Sequence, residues 1–86
     1  MPYISAEARA ELLSPEGYPK TPGELNFLIT MLIQEYALNA GNSYTVFNDI
    51  VGSLECCKQE FLRRVVGPYE QKKIELNGDC YDEKLL

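Results

Sequence analysis

The segment Thr45-Val-Phe-Asn-Asp-Ile-Val-Gly-Ser-Leu-Glu-Cys-Cys-Lys-Gln-Glu-Phe-Leu-Arg-Arg-Val-Val-Gly-Pro-Tyr-Glu-Gln-Lys-Lys-Ile74 decides how this chain folds. Apolar residues recur at Phe47, Ile50, Leu54, Cys57, Phe61 and Val65. An α-helix turns once every ~3.6 residues, so steps of three and four put these six on one face. The spacing predicts a helix over about 45–66, capped by Ser43 or Thr45. Gly67-Pro68 then interrupts it. Proline has no N–H to donate and crowds the carbonyl of Arg64, so the helix must kink or restart there. A further helix follows over 68–76, and Asn77-Gly78 supplies a stop.

Upstream, Thr21-Pro22-Gly23-Glu24 combines a threonine N-cap, a proline at the first helical position and a glutamate three residues after the cap. That is a capping box, and it predicts a helix over about 22–40. Leu25, Leu28, Ile29, Leu32, Tyr36 and Ala40 read as its main apolar stripe, with Phe27 and Met31 to the side. Gly41-Asn42-Ser43 is a short connection, so helices 22–40 and 45–66 are expected to form an antiparallel hairpin. Residues 14–22 carry three prolines and a glycine and read as a mobile loop. Before that loop, Ser5 caps a short helix from Ala6 to Leu13. Met1 to Ile4 read as extended, because Pro2 restricts its neighbours. Residues 79–86 read as a short, acidic, fraying tail. The fold class expected is therefore all-α, in a single domain over 1–86.

Eighty-six residues bury only a thin core, so partner subunits are an expected source of stability. A straight helix over residues 45–76 would span about 48 Å. A globule of this length is about 31 Å across. Either the helix bends at Gly67-Pro68 or it packs on another chain, and a symmetric homo-oligomer would cover its apolar face.

The net charge of −5 argues against general nucleic-acid binding. The three cysteines, Cys56, Cys57 and Cys80, include an adjacent pair, which does not suit a disulfide framework and indicates a reducing compartment. No apolar run approaches the ~18–20 residues of a membrane span, and no secretory leader is recognisable. The chain has no histidine and no tryptophan. That removes the commonest general base and the usual Ser–His and Cys–His nucleophile pairs. The cysteine spacing does not suit zinc, and no Gly-rich phosphate loop is present. The expectation is a non-enzyme, with no catalytic residue, metal or cofactor.

One cluster departs from the acidic background. Arg63, Arg64, Lys72 and Lys73 flank Gly67-Pro68, with Lys58 a turn earlier and Tyr69 between them. As a ligand site, Arg63, Arg64, Tyr69, Lys72 and Lys73 would hold a phosphate-bearing molecule, the guanidiniums on the anion and the ring on a base. The alternative is that these cations offset a helix C-terminus and pair with Glu60, Glu70 or a partner's acids.

Leu54-Glu55-Cys56, Arg63-Arg64-Val65-Val66, Pro68-Tyr69-Glu70, Lys72-Lys73-Ile74 and Asn77-Gly78-Asp79 together resemble a family of small uncharacterised bacteriophage proteins. The opening Met1-Pro2-Tyr3-Ile4 and Pro22-Gly23-Glu24-Leu25-Asn26 are similar too, so the likeness covers nearly the whole chain. Gly67 and Cys57 stand where such proteins often carry alanine. The resemblance implies a phage or prophage origin and a host-cytoplasm setting. With the absent catalytic groups and the basic cluster, it suggests a binder that blunts a host defence, by holding a protein or sequestering a cyclic-nucleotide-type signal. A structural or assembly oligomer without a small-molecule ligand is the alternative.

Overall fold

The computed structural model describes residues 2–86, so Met1 lies outside the described residues. The all-α expectation holds: there is no strand among the described residues. The helices are α1 (Ala6–Leu12), α2 (Pro22–Ala40), α3 (Tyr44–Phe61) and α4 (Gly67–Asn77). A π-helical turn, Leu62–Val66, joins α3 to α4, and a 3-10 turn covers Glu83–Leu85. The chain gathers into two compact units, Met1–Ile50 and Val51–Leu86.

The caps form as the sequence indicates. The Ser5 hydroxyl accepts from the amide of Ala8 at 3.1 Å, and the Thr21 hydroxyl accepts from Glu24 at 3.1 Å. The Glu24 carboxylate reaches back to the amide of Lys20, at 3.1 Å, so one more unpaired N–H before the helix is satisfied. Of the two caps considered for α3, Ser43 serves: its hydroxyl accepts from Val46 at 3.3 Å.

In the first unit α1 packs on α2. Leu12 and Phe27 are buried, as is Val46 near the start of α3. Arg9 ties the pair together. Its Nε donates to the carbonyl of Ile4 at 3.1 Å, and its guanidinium sits 5.3 Å from the centre of the Phe27 ring. The stem of Arg9 is thus half-buried while its charge rests on an aromatic face.

The loop at 14–22 is built against α1. The Ser14 hydroxyl donates to Glu11's carbonyl at 2.6 Å, and Lys20 pairs with Glu11 at 3.5 Å. Gly17 lies so close to the helix end that a Cβ there would run into the carbonyl oxygens of Glu11 and Leu12. Glycine is required at that position by space rather than by φ.

Within the first unit the helix packed on α2 is α1. After α2, Gly41 has φ 112° and ψ 138°, so the chain leaves the helix extended rather than through a left-handed turn. The stripe assigned to α2 is corrected: it is rotated. Phe27 is buried, with Gly23, Thr30, Ile33 and Ala37 half-buried on its side, whereas Leu25, Leu32 and Tyr36 are exposed. Helix α2 is apolar almost all round, so periodicity alone leaves its inward face undetermined.

The tail at 79–86, read as frayed, carries local order. Asp79 Oδ1 accepts from the amide of Tyr81 and Asp82 Oδ1 from that of Lys84, both at 2.9 Å, and the second caps the 3-10 turn.

Candidate functional site: a basic helix surface around a π turn

The second unit is helix surface. From Val51 to Leu86 every side chain is exposed except Val66, which is half-buried. The expected kink at Gly67-Pro68 takes the form of the π turn. The amide of Gly67 donates to the carbonyl of Leu62, five residues back. Pro68 has no N–H for Arg64's carbonyl and its ring would crowd it; widening the turn by one residue relieves that crowding. The chain therefore stays helical through the proline, and α4 begins at Gly67 rather than at 68.

The basic residues sit around this turn in different circumstances. Arg63 is within the π turn, and its guanidinium Nη2 bonds Glu60 Oε2 at 2.5 Å. Lys58 pairs with Glu55 at 3.3 Å. Glu55 also accepts from Gln59 Nε2 at 3.0 Å, and the Gln59 bond, then Lys58, hold its carboxyl below the usual glutamate value. Lys73 Nζ lies over the Tyr69 ring, 5.6 Å from its centre. Arg64 borders a shallow dish with Cys57, Glu60, Phe61 and Val65. Among the described residues, Arg64, Lys72 and Glu70 have no ion pair.

The structure brings Tyr69 to Lys73, Arg63 to Glu60, and Arg64 to Phe61 and Val65. It does not gather the five residues around one concavity. A phosphate would meet Arg64 and Lys72 on open helix surface, where solvent screens each contact. One face of Tyr69 is already covered by Lys73.

Sequence reasoning missed two sites in the first unit. Arg9, read only as a charge on a weak helix, organises the contact of α1 with α2. A polar pocket between α1, the proline loop and the start of α2 is lined by Glu11, Glu16, Tyr18, Lys20 and Glu24. Within it Lys20 stands 5.1 Å from the centre of the Tyr18 ring and pairs with Glu11. The density of prolines before the capping box was its one sequence signal. Among the described residues there is no group of three or more His, Cys, Asp or Glu that could hold a metal. All three cysteines are free and exposed. Among the described residues no helix is long and apolar enough to cross a membrane.

The family model of a domain of unknown function, DUF6899, matches residues 1–80. Neither the curated proteins nor the solved structures contain a significant match.

Proposed function

Starting from a chain that belongs to the DUF6899 family, we propose a protein that acts by association: a non-catalytic homo-oligomer whose exposed helices bind a further partner. The observation that carries this reading is the bare apolar surface. Leu54, Phe61, Leu62, Val65, Tyr69 and Leu76 are all exposed, against a buried core of Leu12, Phe27 and Val46. Burying one such side chain contributes ~1.5–3 kcal/mol, more than a chain with so few buried residues can leave unused. Patches of this kind mark interfaces.

Within that reading the protein is a bacteriophage accessory factor of the host cytoplasm that antagonises a host defence. It does so by holding a defence protein or by sequestering a phosphate-containing nucleotide signal at Arg63, Arg64, Tyr69, Lys72 and Lys73. The phage-like C-terminal motif and the uncommitted charges of Arg64 and Lys72 support the nucleotide version. A second reading, an assembly protein with no small-molecule ligand, is favoured by the in-chain pairing of Arg63 with Glu60 and Lys58 with Glu55.

Light scattering across micromolar concentrations tests association; a stable single subunit throughout would remove it. A thermal-shift panel of cyclic nucleotides and ADP-ribose derivatives separates the two readings. Stabilisation that disappears in Arg64→Glu supports sequestration, and no shift with any ligand leaves the assembly reading.

A further inference from the structure

The chain has one Asn-Gly step, Asn77-Gly78, and it falls where α4 ends. Asparagine is a chemically labile residue, and most so before glycine, whose nitrogen approaches the asparagine Cγ with no Cβ beside it. The other four asparagines are worse placed. Asn26, Asn39 and Asn48 lie inside helices, where the next amide is held in the helical ladder. Asn26 Oδ1 also accepts from Thr30 Oγ1 at 3.3 Å, and Asn39 Nδ2 donates to the carbonyl of Glu35 at 2.7 Å. Asn42 lies between α2 and α3, but Ser43 follows it with a Cβ, and the Ser43 amide donates to the carbonyl of Gly41 at 3.0 Å. Asn77 is exposed, and its side chain makes no hydrogen bond among the described residues.

The end of the helix holds the reaction back. Asn77 is the last residue of α4, so its backbone is helical. The Gly78 amide donates to the carbonyl of Ile74 at 2.8 Å. Helical backbone aims that nitrogen along the helix and away from Asn77 Cγ, and the bond retains the proton that must leave it. Both restraints vanish when the last turn opens, and terminal turns open at little cost in free energy.

We propose that Asn77 is a spontaneous modification site, deamidating each time the last turn of α4 opens far enough, and altering the end of the basic helix irreversibly. Gly78 N bonds to Asn77 Cγ and ammonia leaves, closing a succinimide. Water then opens the ring at either carbonyl, giving aspartate or isoaspartate. The net change is amide plus water to carboxylate plus ammonium, with no oxidant, reductant or enzyme required. Either product brings a negative charge to the C-terminal end of α4, where the helix dipole disfavours it. The new carboxylate stands four residues beyond Lys73, within reach of the ammonium that otherwise lies over the Tyr69 ring. Isoaspartate also lengthens the backbone between the Ile74 carbonyl and the Gly78 amide, so their bond does not re-form in the same geometry. The positive charge around Lys72 and Lys73 therefore falls with time. This goes beyond the association reading and does not depend on it.

Mass spectrometry of the full chain, incubated at mildly alkaline pH and digested at intervals, tests the site. The peptide holding Asn77 should convert first and give both products, with the other asparagines several-fold slower. Asn77→Gln should abolish that conversion and leave helicity unchanged, because the longer side chain closes a less favoured ring. In urea-unfolded chain the rate at Asn77 should rise by the factor with which folding slows hydrogen exchange at the Gly78 amide, since one opening gates both. The converted chain should lose that exchange protection and show shifted Lys73 resonances by NMR. Conversion of Asn42 ahead of Asn77 would overturn the site. Equal rates at Asn77 in folded and unfolded chain would overturn its control by the helix end, and full protection of the Gly78 amide after conversion would overturn the structural consequence.

Discussion

The amide of Gly67 donates to the carbonyl of Leu62, one residue further back than an α-helix allows. That bond carries the chain past Pro68 without a break, and it also explains the glycine. A Cβ at position 67 would stand 3.3 Å from the same Leu62 oxygen, close enough that the turn would have to give slightly. Glycine, proline and the widened turn form one device. It alters which residues share a face downstream.

Pro68→Ala restores an N–H for the carbonyl of Arg64 and removes the ring that crowds it. The helix should then close to ordinary α geometry, with a gain of up to ~3 kcal/mol of local helix stability. Tyr69 and Leu76 would rotate about 100° relative to Cys57 and Phe61. The expected result is higher helicity by circular dichroism together with weaker self-association. A variant that gains helicity and associates as well as the wild type would show that the π turn does not set the interface.

Phe27→Ala removes the largest of the three buried side chains and the ring under Arg9. The cost should be about 3–5 kcal/mol, seen in urea titration as loss of the cooperative transition of the first unit. Arg9→Met, which keeps the stem and drops the charge, should cost about 1–2 kcal/mol, from the cation–π contact with Phe27 and the bond to the carbonyl of Ile4.

Gly17→Ala places a methyl group against the carbonyls of Glu11 and Leu12, which are backbone and cannot swing aside. Overpacking of this kind costs about 1–3 kcal/mol. By contrast Gly52→Ala meets nothing nearby and should stabilise α3 by roughly 1 kcal/mol. Opposite signs at the two glycines, read as shifts in thermal midpoint, are the check.

Glu55 has its carboxyl held below the ordinary value of 4.5, first by Gln59 and then by Lys58. A depressed carboxylate contributes stability that is present above the unfolded value and is lost as pH falls through the folded one. Helicity of α3 should therefore decline from about pH 4.5 downward. Glu55→Gln should flatten that part of the titration and lower helicity slightly at neutral pH, where the wild-type carboxylate makes its contribution in full.

Thr21→Ala removes the hydroxyl that accepts from Glu24 and opens the start of α2. The loss should be about 1 kcal/mol. Because Lys20's amide bonds the Glu24 carboxylate, the variant should also speed hydrogen exchange at Lys20, measured by NMR.

Much of the local structure was legible because its causes are local. Ser5, Thr21 and Ser43 cap helices with their own hydroxyls a few residues away. Pro68 perturbs the carbonyl of Arg64 wherever the rest of the chain lies. The basic residues were likewise visible as a cluster in sequence. Their geometry was not, because helical spacing does not say which cation a neighbouring acid will engage, as Glu60 does Arg63, nor which ring a lysine will cover.

The amino-acid sequence by itself determined the all-α class, the helix starts and the interruption at Gly67-Pro68, since these depend on side chains acting within one turn of themselves. Only the tertiary structure decided that α2 buries Phe27 rather than Leu32, and that α1 packs on it. Periodicity identifies an apolar face but never its partner, and a helix that is apolar on every side does not declare which side turns inward.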